Sequence, residues 1–209
     1  VLLLFARQYA QGPEPAQLPQ ALQPEPSSEI NVHQSGRVEQ AGTMHNSDID
    51  PRALRRAFAC FATGVTVVTT RSRAGAPIGL TMNSFTSVSL DPPLILFSLG
   101  KKSEQFEDFM SGSVFGVNVL SEEQVGLSGR FSTPGDKSFG DIPFETWQTG
   151  APIIPEALSS FDTIVDQRVE AGDHVLFICR VVQTAVMSEA APLLFHRSGY
   201  VRLDSSVDA

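Results

Sequence analysis

Few residues in this chain have the types and spacing of a self-sufficient catalytic centre. His33, His45, His174 and His196 are dispersed, as are Cys60 and Cys179, and none falls in an HExxH, CxxC or other metal-ligand spacing. Gly126-Leu127-Ser128-Gly129 is not a GxSxG elbow, and the sequence leading into it has a helix-cap pattern where such an elbow needs an apolar strand. No GxGxxG follows a strand, no GxxxxGK[ST] is present, and neither a close carboxylate pair nor a basic-aromatic stripe stands out. The informative stretch is Gly79 to Pro93. There Thr81, Asn83, Ser84 and Ser87 supply short polar groups, and backbone amides are exposed where the strand bends, suited to the edge of a planar polar ring. Ser103, preceded by Lys102, sits at an expected helix N-terminus, where free N–H groups and the macrodipole favour an anion. So quiet a set of side chains suits an enzyme whose cofactor carries the electron chemistry.

The elements that must position these groups are legible from periodicity. Asp50-Pro51 opens a helix with an acidic cap and Pro in the first turn; Leu54, Phe58 and Phe61 recur at i, i+4 and i+7, and Gly64 closes it. Spacing predicts Phe58, Phe61, Phe106 and Phe109 as core. Val65 to Thr70 reads as a buried strand, turning through Arg71 to Pro77 into a second strand containing Ile78, Leu80 and Met82. Ser84 to Leu90 alternates hydroxyl and apolar side chains, Asp91-Pro92-Pro93 interrupts, and Leu94 to Leu99 is an apolar strand. A short helix follows Ser103, a strand spans Ser113 to Leu120, and Ser121 with Gln124 forms a capping box that opens another short helix. After Gly126 the glycines and prolines predict a surface loop, long from Pro134 to Pro152. A strand from about Phe161 to Val169, a turn at Glu170 to His174 and a return strand to about Met187 complete the pattern. Many strands with few short helices predict a mainly β, antiparallel barrel instead of a βαβ sheet.

The 209 residues allow one ordinary domain with a tail. Residues 1–47, Gln-rich and punctuated by Pro13, Pro15, Pro19, Pro24 and Pro26, are expected to be a disordered or non-native extension, and residues 48–205 the folded domain. Val1 to Ala6 lacks the basic flank and length of a secretory leader, and no run reaches the roughly 20 apolar residues of a membrane span. Two distant cysteines favour a reducing cytosol. A net charge of −8 argues against nucleic acid or anionic lipid as partner. Any anionic ligand must therefore be met by local groups.

On these residues the chain resembles the short-chain NAD(P)H:flavin reductases, the reductase components of two-component flavin monooxygenases. The resemblance runs from Phe61-Ala62-Thr63-Gly64-Val65-Thr66-Val67-Val68-Thr69-Thr70, through Asn83-Ser84-Phe85 and Leu127-Ser128-Gly129-Arg130-Phe131, to Gly172-Asp173-His174 and Ser198-Gly199-Tyr200. It covers about residues 51 to 203, and these pieces fall in the family's order and spacing. It implies an antiparallel Greek-key split β-barrel of the FMN-binding type and NAD(P)H-dependent reduction of free FMN or FAD by hydride transfer to flavin N5. It further implies a homodimer that supplies reduced flavin to a separate oxygenase. Carried over residue by residue, the resemblance puts Thr81, Met82, Asn83, Ser84 and Phe85 along the flavin, with Ser87 beside them. Lys102 and Ser103 approach its phosphate, Ser128, Arg130 and Phe131 make the next contact, and His174 stands beside the nicotinamide with Ser198, Gly199 and Tyr200 near the same pocket.

Plainer roles exist for the same residues. Asn83 and Ser84 suit a turn or bulge, Arg130 a surface charge, and His174 a turn histidine after Gly172-Asp173. Two other functions share the barrel: a flavin-binding module without turnover, and an oxidase of the pyridoxamine phosphate type. The latter requires extra basic residues for a substrate phosphate, and the Gly172-Asp173-His174 match speaks against it.

Overall fold

In the computed structural model, residues 50–135 and 137–203 are described; the extension expected over residues 1–47 lies outside them. Helix α1, Pro51–Phe58, starts as its sequence directs, with the Asp50 carboxylate accepting from Arg52 N at 3.0 Å and Ala53 N at 3.2 Å. Its apolar face is not core. None of its residues is buried, Phe58 is 67% exposed and Phe61, beyond the helix end, 78%. Helical spacing identifies an apolar stripe, but it does not specify which surface covers that stripe.

Seven antiparallel strands form the main sheet in the order β3-β2-β6-β9-β10-β5-β4. They are β2 Thr66–Arg71, β3 Pro77–Met82, β4 Thr86–Leu90, β5 Pro93–Gly100, β6 Val114–Val119, β9 Ser159–Ala171 and β10 His174–Val186. β1 Thr63–Gly64 pairs with β11 Leu194–His196 and β12 Gly199–Val201 in a second sheet, and β7 Glu145–Thr146 pairs with β8 Pro152–Ile153. The main sheet is rolled. Ile78, Leu80 and Met82 from edge strand β3 share one core cluster with Ile95, Phe97 and Leu99 of β5 and Val175, Phe177 and Cys179 of β10. Only a curved sheet can bring the inner faces of such distant strands together. Phe97 stacks on Phe177 at 5.0 Å and meets Phe115 edge-on at 5.3 Å. Full burial of such rings is worth about 1.5–3 kcal/mol each, which makes this cluster the main driving force for closure.

β2 is buried on both faces, so it reads as an unbroken apolar and threonine run. Val68 points into the barrel, whereas Val65 and Val67 join Leu120, Phe131, Phe139, Ile154 and Leu193 outside it. The buried threonine hydroxyls donate to backbone carbonyls: Thr66 to Met82, Thr70 to Val114, and Thr69 to Gly116 and Pro152. Gly116 is obligatory here, since a Cβ would collide with the Pro152 carbonyl and the Thr69 hydroxyl.

Three further sequence expectations need correction. α2 spans Phe106–Ser111 with Gln105 as its N-cap, so Ser103 precedes the helix by two residues more than its cap position requires. Its hydroxyl accepts from Gln105 N at 3.3 Å within a turn. The chain does not loosen after Gly126 either: the Ser121–Gln124 capping box opens a 3₁₀ turn that continues as α3, Val125–Ser132. Two helical glycines cost about 1 kcal/mol each, and burial of Phe131 and the well-packed contact of α3 with β2 and β3 outweigh that cost. The expected Pro134 to Pro152 loop is interrupted by β7 and carries buried Lys137 and Phe139.

Candidate functional site

The sheet's two ends approach each other without pairing, and the seam between them is where the polar stretch falls. β3 is an edge strand and β5 lies near the opposite edge. Their closest join is a side chain: Ser84 Oγ donates to Ser98 O at 3.1 Å and accepts from Ser98 N at 3.0 Å. This clasp occupies most of the Ser84 hydroxyl and holds the bend that follows β3. On β3 itself, Gly79 N donates outward to Lys137 O at 3.1 Å. Strand alternation then turns the backbone N–H and C=O of Thr81 to the same outer edge, past the last bridging residue, Ile78.

Thr81, Met82 and Asn83 form a wall common to two clefts. The first, of about 250 Å³, is completed by Ser98, Gly100, Ser103 and His174. The second, of about 290 Å³, is completed by Val65, Ser128, Ser132, Phe195 and Tyr200. The Thr81 hydroxyl donates to Ser128 O at 2.8 Å, and Ser128 Oγ lies 2.7 Å from Tyr200 Oη, so β3, α3 and β12 are tied together at the second cleft. The exposed Asn83 amide makes no hydrogen bond with another described residue. The wall therefore presents an unpaired strand edge and a free carboxamide, which together can bind alternating donors and acceptors on a flat ring.

At the first cleft, the tight turn at Gly172 (φ 63°) and Asp173 brings His174 opposite Gly100 across β10 and β5. Asp173 Oδ1 lies 2.7 Å from His174 Nδ1. This bond, foremost among several influences that include the Lys102 ammonium, holds the Asp173 carboxyl below its ordinary range. An ionised Asp173 can only accept, so Nδ1 carries the proton and Nε2 is left toward Gly100. Lys101 is engaged by Glu170, whereas Lys102 stays exposed near Asp173.

Thus Thr81, Met82, Asn83, Ser84, Ser103 and His174 come together at one cleft, and Ser128 and Tyr200 join Thr81–Asn83 at the other. The remaining expected contacts are placed elsewhere. Phe131 has no exposed surface and packs beneath Gly79, so it cannot touch a ligand. Arg130 lies two positions from Ser128 on α3, about 200° around the helix. It therefore lines a different cleft, with Glu123, Asp141 and Glu156, and donates to Ser138 O at 2.8 Å. Phe85 is half-buried against Phe161, ring centroids 5.6 Å apart. Ser87 is exposed on β4 beside a bulge and lines neither cleft. Ser198 lies in a cleft with three arginines, and Gly199 begins β12 between the two sites.

Sequence reasoning missed Lys137. Its buried ammonium donates to Phe131 O at 3.0 Å and to Thr133 O, capping the carbonyl end of α3. Burial lowers its pKa, against the opposing pull of Glu104. Glu104 in turn accepts from Gly135 N at 3.1 Å, which fastens the Lys102–Glu104 turn to the same loop. A lysine after Pro134-Gly135 reads as solvated, so no local signal marked it. Among the described residues, no three His, Cys, Asp or Glu side chains gather in a metal-holding group, and no helix is long and apolar enough to cross a membrane.

Comparison with known proteins gives one consistent result. The profile of the "Flavin reductase like domain" family matches residues 58–204. The chain is 41% identical to the stachydrine N-demethylase reductase subunit Stc3 of Rhizobium meliloti, over 72% of this chain and 65% of that one. It is 40% identical to the FMN reductase (NADH) SmoA of Agrobacterium fabrum, over 72% and 85%. Among solved structures, NADH:FAD oxidoreductase SgcE6 of Streptomyces globisporus, in complex with NAD and FAD fragments, superposes with a TM-score of 0.70 at 32% identity, covering 77% of this chain and 98% of that one. The chain spans 42%, 65% and 48% of the length of three of the curated relatives it matches.

Proposed function

Because this chain belongs to the flavin reductase like domain family, we propose that it is an NAD(P)H:flavin oxidoreductase that reduces FMN or FAD at the Thr81–Asn83 wall. The observation that carries this reading is the unpaired β3 edge, with its free Asn83 amide, standing between two clefts. A flavin ring fits that edge, since its pyrimidine side alternates donors and acceptors as a strand does. When bound, the flavin accepts a hydride at N5 from NADH or NADPH. The chain's own residues bind and align. Thr81 and Asn83 hold the ring edge, Met82 supplies an apolar contact, and the Ser84–Ser98 clasp keeps the bend in place. Lys102 and Ser103 stand on the phosphate side. His174, oriented by Asp173, lines the cleft for the nicotinamide, while Ser128 and Tyr200 brace the far side of the wall. Two reactive rings held face to face lose the entropy of encounter before reaction, which is the main acceleration such a site offers.

Reduced flavin is released to a separate oxygenase in this reading, supported by relatives that are reductase components of monooxygenases, such as the trigonelline monooxygenase reductase of Acinetobacter baylyi. A second copy of the chain covers the exposed Leu54, Phe58 and Phe61 of α1 and its continuation. The test is anaerobic mixing of protein with FMN or FAD and NADH or NADPH, followed by flavin bleaching. We expect bleaching well above the protein-free rate with at least one pair, and a His174→Ala variant with weaker use of NAD(P)H at nearly unchanged flavin affinity. No bleaching with any pair overturns the reading, and unchanged NAD(P)H dependence in the variant returns His174 to a turn role.

A further inference from the structure

We propose that the cleft lined by Arg55, Arg56, Ala59, Cys60, Arg197 and Ser198 is an oligophosphate-binding site, separate from the clefts along Thr81–Asn83. It encloses about 400 Å³ where the end of α1 meets the β11–β12 turn. Three arginines line it, in a chain whose net charge is −8. Three other cations of the described residues are paired with acids, Arg73 with Asp108, Lys101 with Glu170 and Arg202 with Glu122. Among the described residues, Arg55, Arg56 and Arg197 have no acidic partner. Positions in the last turn of α1 account electrostatically for Arg55 and Arg56, which complement the helix dipole. That argument does not reach Arg197.

Arg197 is placed at a backbone penalty. The two residues joining β11 to β12, Arg197 and Ser198, have φ of 46° and 65°. Both central positions of such a turn favour Asn and Gly, and residues with larger side chains are strained in the left-handed region. The Arg197 N–H donates to Ala59 O at 3.0 Å, fastening the strained tip to the chain just after α1. Two elements are thus locked together, and Arg197 lines the same cleft as Arg55 and Arg56. Guanidinium forks match phosphate oxygens bidentately, and a diphosphate has enough non-bridging oxygens to engage several forks, which a single carboxylate does not. The exposed Ser198 hydroxyl adds a neutral donor, while the Cys60 thiol donates to Arg56 O at 3.5 Å. Only Gly199 separates Ser198 from Tyr200, so the arginine cleft adjoins the second cleft of the wall. The diphosphate can accordingly be that of a dinucleotide bound at the wall or a free inorganic one.

Calorimetric titration of the full chain with inorganic pyrophosphate tests the site without any turnover, so its outcome is independent of the reductase assay. Wild-type protein is expected to bind, more weakly as salt is raised, and Arg197→Gln or Arg55→Gln to weaken binding roughly tenfold or more. Both side chains are exposed, and circular dichroism establishes that each variant is folded. KM measurements then assign the source. A rise for FAD but not FMN in Arg197→Gln identifies a dinucleotide diphosphate, and unchanged KM values with lost pyrophosphate binding identify a free oligophosphate. Absence of pyrophosphate binding by the wild type, as when a second copy of the chain covers the cleft, overturns the proposal. Equal binding by the wild type and the Arg55→Gln/Arg197→Gln variant also overturns it.

Discussion

Replacement of Asn118 by Ala removes the polar hub that ties β6 to β2, β9 and the segment after β8, and gives the sharpest test of that network. Asn118 on β6 is fully buried. Its Oδ1 accepts from Ile154 N at 2.9 Å and from Ser160 Oγ at 2.8 Å, and its Nδ2 donates to Val67 O at 3.0 Å. The 3.5 Å approach of Nδ2 to Thr69 Oγ1 is at the limit of a bond and adds little. Three net bonds at about 1 kcal/mol each give about 3 kcal/mol, and an unpaired buried Ile154 N–H carries the loss toward about 5 kcal/mol. Ser160→Ala removes one of these bonds and should cost about 1 kcal/mol. Asn118→Asp adds a pH signature. A carboxylate at that site is desolvated, so its folded pKa rises above the ordinary value near 3.9, and the variant loses stability progressively as pH increases from about 4 to 8. Urea unfolding at fixed protein concentration measures all three. A loss below about 1 kcal/mol for Asn118→Ala, or an Asn118→Asp stability that is flat over that pH range, refutes the network as described.

Two further outcomes follow from burial and open space. A Cβ at Gly129 meets nothing within 4 Å; Gly129→Ala should therefore stabilise α3 by about 0.5–1 kcal/mol, read as a higher urea midpoint, and a lower midpoint would mean the helix surface is not open there. Cys60 is exposed and Cys179 buried, with burial pushing the Cys179 thiol up to about 12. An alkylating reagent at pH 8 should modify one thiol in the native protein and two after unfolding. Since native Cys179 keeps a proton that the unfolded thiol loses near pH 8.5, its contribution to stability falls as pH rises above that value. Rapid native labelling of both thiols would contradict the packing of β10.

The strands were readable because local pattern and tertiary role agree in them. Val65 to Thr70, Leu94 to Leu99 and the two long strands about Gly172 owe their conformation to β-branched and apolar runs bounded by turn residues. The Asp50 cap and the Ser121–Gln124 box are equally local, each depending on side chains within three residues of their targets. The short helix opened by that box was readable, but its continuation past Gly126 as α3 was not, because two glycines lower the intrinsic propensity and only contacts with β2 and β3 restore it. Phe58 and Phe61 show the converse, a helical stripe with nothing of this chain packed against it.

The candidate site divides along the same line. That residues 81–84 bear closely spaced short polar groups, and that His174 follows a Gly-Asp turn, are properties of neighbours along the chain. That Ser103 and His174 share a cleft with Asn83, while Arg130 and Ser198 do not, depends on how a seven-stranded sheet curls and where its edges stop. Facing positions on a helix depend on its 100° step per residue, so a pair two positions apart such as Ser128 and Arg130 reads as one contact in sequence and becomes two surfaces in space. Local patterning sets the conformation of each segment, because capping, turn and strand preferences act over a few residues. The company each side chain keeps is decided by long-range burial, because it is the apolar area enclosed by the rolled sheet that selects which distant segments meet.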